Sequence, residues 1–263
     1  LTNAHLVEGA ETCSVELADG REYDALLVGM DSPSDIAVIK IDAPGLSPAE
    51  FSAGEVRVGE AAAAIGNPLG PELRGTMTEG IISGISRDIT YTGFPMTLIQ
   101  TDAAINEGSS GGALFNMYGQ VIGMTSMKLV SSSMASRIEG VGFAIPMETL
   151  EAVANALIAD GRVLGRPALG VTVGDIPADA AAYYGIPDAL YVISVTPGSD
   201  AEASGVRAGD ILVYAEGSYM SSSADLSAVI AGKSPGDEVS IELYRPEGKV
   251  NLSVALMDYS EIY

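Results

Sequence analysis

Ile105-Asn106-Glu107-Gly108-Ser109-Ser110-Gly111-Gly112-Ala113-Leu114 is the stretch on which the fold of this chain turns. Its glycines permit a tight turn and a close approach to a ligand with no Cβ in the way. Apolar runs flank it at residues 96–100 and 119–124, so Ser110 is expected on a short loop between strands, where a hydroxyl can be presented to a substrate. Alone, the same residues also describe a plain Gly/Ser-rich turn. A serine nucleophile needs a base, normally histidine, and a carboxylate to orient it. The chain has one histidine, His5, and that decides between the possibilities.

Gly108-x-Ser110-x-Gly112 formally fits the nucleophile elbow of α/β-hydrolases, but there the histidine follows the serine, and here none does. The subtilisin order requires an aspartate before the histidine, and none of the four residues preceding His5 is acidic. What survives is the order His, Asp, Ser of the chymotrypsin-like double barrel. Seven aspartates lie between His5 and Ser110, at 19, 24, 31, 35, 42, 88 and 102. Asp35 is the best placed, at the junction between the turn Asp31-Ser32-Pro33-Ser34-Asp35 and the β-branched run 36–41. An Asx-turn or a strand-start cap would use an aspartate at the same place.

The chain of 263 residues is long enough for two domains with separate cores, and its hydrophobic content of 47 % suits a folded, strand-rich protein. Its net charge of −22, with no basic run, argues against nucleic acid and against anionic membrane surfaces as partners. One histidine and one cysteine leave too few soft ligands for a typical zinc site, and no cofactor or metal is expected. Cys13 excludes an intrachain disulfide and reads as an inert, half-buried apolar residue. The chain begins with Leu1, with His5 close behind, although such a histidine normally follows one or two strands of its barrel; it therefore reads as a fragment with an upstream segment missing.

Strands are expected at 15–17 and 25–28 around the Asp19-Gly20 turn, then at 36–41, 61–66, 80–85 and 141–145. Residues 128–139 are polar, without periodicity, and read as a mobile loop. Pro146 opens a helix whose apolar face is Leu150, Val153, Ala154, Leu157 and Ile158, with Gly161 as its stop. Expected organisation is a protease-like domain over 1–160, a linker at 161–167, and a small binding module over 168–258. That module reads as five short strands and one helix at 223–231.

Thr2-Asn3-Ala4-His5, Asp35-Ile36-Ala37-Val38-Ile39-Lys40, Ala64-Ile65-Gly66-Asn67-Pro68, residues 100–106, Gly108 to Leu114 and Gly142-Phe143-Ala144-Ile145-Pro146 resemble, in that order, HtrA/Deg serine proteases. Residues 197–212 resemble the PDZ domain of the same family. The resemblance implies a mainly β fold: a chymotrypsin-like double β-barrel, its N-terminal barrel incomplete, followed by a small α/β PDZ domain. It implies His5 as general base, Asp35 as its orienter and Ser110 as nucleophile. Backbone N–H groups of Gly108, Ser109 and Ser110 would form the oxyanion hole. Ile105 would stand near the base of the specificity pocket and favour small aliphatic residues there; an ordinary core position is the other reading. Leu169, Gly170 and Val171 would form the PDZ carboxylate-binding loop, with a peptide added as a strand.

The implied activity is that of an ATP-independent serine endopeptidase acting outside the cytoplasm on unfolded or damaged proteins. C-terminal peptides at the PDZ groove and assembly as a homotrimer belong to the same expectation. The alternative is a non-catalytic, peptide-binding or chaperone-like member of the fold. Three features depart from the family pattern: Ser109 where asparagine or aspartate is common, Glu107 beside the site of a developing oxyanion, and Pro71-Glu72-Leu73-Arg74 in a loop that the family rearranges.

Overall fold

The structure, a computed structural model, describes residues 1–68, 70–91, 94–126 and 140–262; the loop expected at 128–139 lies outside the described residues. The chain forms two compact units, one of Leu1–Tyr91 with Met96–Arg162, the other built on Val163–Tyr263.

The first unit opens with a 3₁₀ turn, Ala4–Leu6, and two antiparallel pairs, β1 (Ser14–Glu16) with β2 (Glu22–Asp24) and β3 (Leu26–Asp31) with β4 (Ile36–Lys40). The Asp19-Gly20 turn forms as expected, but the strand arriving from it is β2; residues 26–28 belong to β3 and pair with β4 instead. A closed barrel follows, built from β5 (Ala61–Gly66), β6 (Thr76–Tyr91), β7 (Phe94–Thr101), β8 (Ala113–Asn116), β9 (Val121–Thr125) and β10 (Gly142–Pro146) in the order β10-β7-β6-β5-β8-β9. β8 was not expected as a separate strand; its four residues follow the Ser110 loop at once and complete the barrel between β5 and β9.

Four consecutive alanines are weak strand formers by propensity. In β5 packing overrides this, because Ala62 and Ala64 point inward among Ile82, Ile99, Leu114 and Ile122, where the barrel has room only for small side chains. Helix α1 (Met147–Asp160) closes the unit, with Met147, Leu150, Val153, Ala154 and Leu157 buried and Gly161 at φ 72° ending it. Ile158, expected on this face, is 62 % exposed, and Met147 joins the stripe instead. Gly29 of β3 lets the helix end approach: a Cβ there would lie 2.5 Å from the Gly161 carbonyl oxygen and 3.2 Å from Leu157 Cδ2.

The second unit contains β11 (Pro167–Ala168), β12 (Val171–Asp175), α2 (Ala178–Tyr184), β13 (Leu190–Val195), α3 (Asp200–Ala203), β14 (Ile211–Ala215), β15 (Ser218–Tyr219), α4 (Ser223–Ala231), β16 (Glu238–Arg245), β17 (Gly248–Ala255), β18 (Met257–Asp258) and α5 (Tyr259–Ile262). The sheet order is β12-β13-β14-β16-β17, with β15 on β14, around a core that includes Leu190, Leu212, Met220, Leu243 and Leu256. Helix α4 occupies the expected residues, its start fixed by the Asp225 carboxylate accepting from Ser222 N–H at 2.9 Å. Helix α2 was not expected: five residues of Ala and Asp precede Tyr183 and Tyr184, which are 82 % and 71 % exposed, so no apolar stripe marks it. No helix among the described residues is long and apolar enough to cross a membrane.

An ion pair buried at its carboxylate ties β16 to the residue just before β14. Arg245 of β16 donates through Nε and Nη2 to the Asp210 carboxylate at 2.6 and 2.7 Å, and Nη2 also donates to the Gly205 carbonyl at 2.7 Å. Burial pushes the Asp210 carboxyl upward, but the Arg245 hydrogen bonds and the Arg207 N–H together hold it below its ordinary value. Stability from this carboxylate is therefore full above the ordinary carboxylate range and declines as pH falls through the lowered folded value. Arg245→Met leaves Asp210 buried without its cation, and should destabilise the second unit by about 3–5 kcal/mol at neutral pH. Urea unfolding followed by hydrogen exchange in β14 and β16 measures this, and the difference from wild type should shrink as Asp210 is protonated in acid.

Candidate active site

His5 sits in the 3₁₀ turn Ala4–Leu6, and its ring Nδ1 lies 2.8 and 3.0 Å from the two Asp35 oxygens. Its backbone N–H also donates to Asp35 Oδ1 at 3.1 Å. A carboxylate accepts only, so the neutral imidazole carries its proton on Nδ1 and leaves Nε2 as the basic nitrogen. The Asp35 side chain is 3 % exposed and the His5 side chain 17 %, so the pair is desolvated at the acid and open at the base. Ser126, directly after β9, donates its hydroxyl to Asp35 Oδ2 at 2.9 Å.

Asp35 is placed by a hairpin loop between β3 and β4. The ladder closes at Asp31 opposite Ile36, and Asp35 takes the left-handed conformation, φ 55°. Aspartate tolerates this conformation better than most residues. The loop is built inward: buried Ser34 donates its N–H to Asp31 Oδ2 at 3.0 Å, its hydroxyl bonds the same oxygen, and Asp35 N–H donates to Ser32 at 3.2 Å.

The loop that carries Ser110 lies against the segment that carries His5 through its next residue, Gly111. Gly111 N–H donates to the Thr125 carbonyl at 3.0 Å and Thr125 N–H to the Gly112 carbonyl at 2.9 Å, strapping the serine loop to the end of β9, next to Ser126. Gly111 also abuts the residues on either side of His5: a Cβ there would lie 2.6 Å from Thr2 Oγ1 and 3.2 Å from Leu6 Cδ1. Its φ of 77° independently favours glycine.

The residues before Ser110 form a turn in which Ser109 N–H donates to the Asn106 carbonyl at 2.8 Å and Gly108 has φ 87°, the hydrogen bond and glycine of a type II turn. The Ser109 N–H, expected in the oxyanion hole, is therefore spent inside the turn. Among the described residues no acceptor takes the Gly108 N–H. The Ser109 side chain is buried, and its hydroxyl accepts from Asn106 N–H at 3.2 Å, a short local bond in place of a longer side-chain brace. Glu107 is exposed, so water screens its charge from the site.

Asn67 holds the turn from the other side. Its N–H donates to the Gly108 carbonyl at 3.3 Å and its Oδ1 accepts from Gly75 N–H at 2.9 Å. Arg74, one of the residues that depart from the family pattern, forms a two-pronged pair with Glu16 of β1 at 2.7 and 2.5 Å. Ile105 packs against the barrel core, and a Cβ on Gly142 would lie 2.6 Å from its Cδ1, so the side chain fills the space over that glycine.

In the second unit Leu169 is buried in the core, Gly170 has φ 76°, and its carbonyl accepts from Thr196 N–H at 2.9 Å. Among the described residues no acceptor takes the N–H of Leu169 or Gly170. Among the described residues β12, beginning at Val171, pairs on one side only, with β13. Its end is joined to α4 by Ser223 N–H donating to Asp175 at 2.8 Å.

Sequence reasoning named His5, Asp35 and Ser110 and did not single out Ser126 or Asn67. Ser126 and Asn67 are ordinary polar residues at strand ends, and their role exists only once strands distant in sequence meet. Among the described residues, no cluster of three His, Cys, Asp or Glu side chains could hold a metal ion.

Comparison with known proteins adds independent findings. Residues 1–124 match the trypsin-like peptidase domain family and residues 167–256 the PDZ domain family. The chain is 36 % identical to a Do-like HtrA serine protease of Lactobacillus helveticus, over 97 % of this chain and 64 % of the relative. It is 38 % identical to a probable periplasmic DegP-like serine endoprotease of Halomonas elongata, over 99 % of this chain and 54 % of the relative. It thus spans between half and two thirds of the length of these curated relatives. The solved structure of the HtrA-type protease AlgW with a decapeptide superposes with a TM-score of 0.62 at 34 % identity, covering 98 % of this chain and 78 % of that one.

The close contact behind the serine turn makes a direct test. A Cβ at Gly66 would lie 2.9 Å from the Ser109 Cα, a backbone atom that cannot yield alone. Gly66→Ala should destabilise the first unit by about 1–3 kcal/mol. It should also slow modification of Ser110 by a fluorophosphonate at least tenfold, read by intact mass, while unfolding of the second unit stays unchanged.

Proposed function

The chain belongs to the HtrA/Do family of serine proteases, and from that membership we propose that it hydrolyses peptide bonds through His5, Asp35 and Ser110. The observation that carries this reading is the buried Asp35 carboxylate on His5 Nδ1, with the Ser110 loop strapped to the strand whose end also binds Asp35. His5 Nε2 takes the Ser110 proton as Oγ attacks the scissile carbonyl carbon. Asp35 stabilises the imidazolium that forms and keeps the ring in place. The oxyanion of the tetrahedral intermediate is held by the N–H of Gly108 and of Ser110, each such donor lowering the barrier by about 3–4 kcal/mol. Collapse breaks the C–N bond, His5 returns the proton to the leaving amine, and water repeats the sequence to free the acyl group.

Substrates are unfolded or damaged proteins, cleaved without ATP. Leu169, Gly170 and Val171 take the carboxylate of a C-terminal peptide, which adds as a strand to the open edge of β12 beside α4. The similarity to AlgW, a protease solved together with a decapeptide, supports a peptide ligand. The protein works outside the cytoplasm, as the periplasmic name of the Halomonas relative suggests, and assembles as a homotrimer.

Fluorophosphonate labelling near neutral pH, with and without a C-terminal peptide, tests the catalytic reading. One adduct on the parent and none on Ser110→Ala is the expected result; no adduct under either condition would favour a binding protein. Ile105, whose side chain covers Gly142, would restrict the residue before the cleaved bond to small aliphatic side chains such as alanine or valine. Ile105→Ala should shift kcat/KM toward leucine and methionine by tenfold or more, since each added methylene accommodated is worth about 1–3 kcal/mol. A peptide library assayed on both forms measures that shift.

A further inference from the structure

We propose that Asn3 is a positioning residue for the catalytic pair, a role that rests on reading His5 and Asp35 as base and orienter. Asn3 lies two residues before His5, is fully buried, and donates its Nδ2 to the Asp35 carbonyl at 3.0 Å. Asp35 has every other polar group accounted for. Its N–H goes to Ser32 at 3.2 Å, and its carboxylate receives the His5 ring, the His5 N–H and the Ser126 hydroxyl. The carbonyl alone is left over, because Asp35 stands outside the β3–β4 ladder with φ 55°. A left-handed conformation at a residue other than glycine persists only where the surroundings over-determine it. Asn3 provides that constraint from the segment that carries His5.

The same segment reaches all three catalytic positions. Thr2 is bridged to Ala37 of β4 by reciprocal N–H bonds at 3.0 and 2.8 Å and packs against Gly111, next to Ser110. Residues 2–5 thus connect the hairpin bearing Asp35, the serine loop and His5 itself. Asn3 locks the one torsion in this arrangement that would otherwise relax.

Its other side-chain atom tells positioning from plain stability. Asn3 Oδ1 is the one buried side-chain polar atom without a hydrogen-bond partner among the described residues. An unsatisfied buried acceptor destabilises the fold, whereas the Nδ2 bond stabilises it. Replacing Asn3 by leucine, of similar size, removes both at once. Stability should therefore hardly move, while the hold on Asp35 disappears.

The test compares wild type with Asn3→Leu and Asn3→Ala by thermal unfolding, active-site titration, peptide hydrolysis and proton NMR. Wild type must first titrate and turn over; if it does not, the catalytic reading fails and not this one. For Asn3→Leu the expected result is a Tm within a few degrees of wild type and a full count of titratable sites. kcat should be at least tenfold lower with KM within twofold. His5 is the only histidine, so its Nδ1 proton is a single low-field resonance that should weaken or move upfield in the variant. A kcat within twofold of wild type at an unchanged Tm overturns the proposal. So does a loss of activity that follows the loss of titratable sites one for one. If Asn3→Leu does not fold, Asn3→Ala below its own Tm is held to the same two criteria.

Discussion

The interaction on which the first unit depends is that of the Asp35 carboxyl group, held almost out of contact with water. A lone buried carboxylate would neutralise or force the structure open. Here it receives four short approaches from two directions, the His5 ring to each oxygen, the His5 N–H and the Ser126 hydroxyl. The donors come from the start of the chain and from just after β9, at residues 5 and 126. The barrel and the N-terminal segment therefore meet at this charge. Its local cost is offset only when both are in place, which makes the assembled site a condition of a stable carboxylate and not an ornament on a finished fold.

Around that charge the chain uses absence of side chains as a building material. Gly66 lies against Ser109, Gly111 against Thr2 and Leu6, and Gly142 against Ile105. Each is a place where one methyl group would push backbone or a core side chain aside. The alanines of β5 do the same within the barrel, leaving room for Leu114 and Ile82. Small residues let the serine loop lie close to the strand behind it, so a short hydrogen bond from Asn106 N–H to the Ser109 hydroxyl is enough to shape the turn. A larger residue at 109 would brace the turn at longer range, and the local bond does so without filling the space behind it.

How much of this was legible in the sequence differs by kind of residue. His5, Asp35 and Ser110 could be singled out because a serine nucleophile demands a histidine and the chain holds one, so chain order selected among the folds. The four-alanine strand, β10 and α4 could be found because apolar runs and caps are local signals. β2, β8 and α2 escaped, two being very short and the third carrying its tyrosines into solvent with no apolar stripe. Ile158 was assigned to the buried face by spacing alone but is exposed, and the buried stripe instead starts one turn earlier, at Met147. Ser126, Asn67 and Asn3 were invisible for a deeper reason: each acts on a residue eight to ninety-one positions away, and nothing in their immediate neighbours records the partner.

Three departures from the rules of local structure meet at one place, and this is informative. Asp35 adopts a conformation suited to glycine, Asn3 buries an unsatisfied oxygen, and a carboxylate is taken from water, all of them in contact with His5 or within two residues of it. Each departure alone would be removed by a sequence under selection for stability only, since leucine at 3 and glycine at 35 are simple changes. Glycine at 35 would relieve the torsion but delete the orienter, and leucine at 3 would satisfy the interior but free the orienter's backbone. Both relaxations loosen the histidine, so the strain and the orphaned atom are two sides of a single demand: that the carboxylate meet Nδ1 in one geometry, from a backbone with no freedom to choose another.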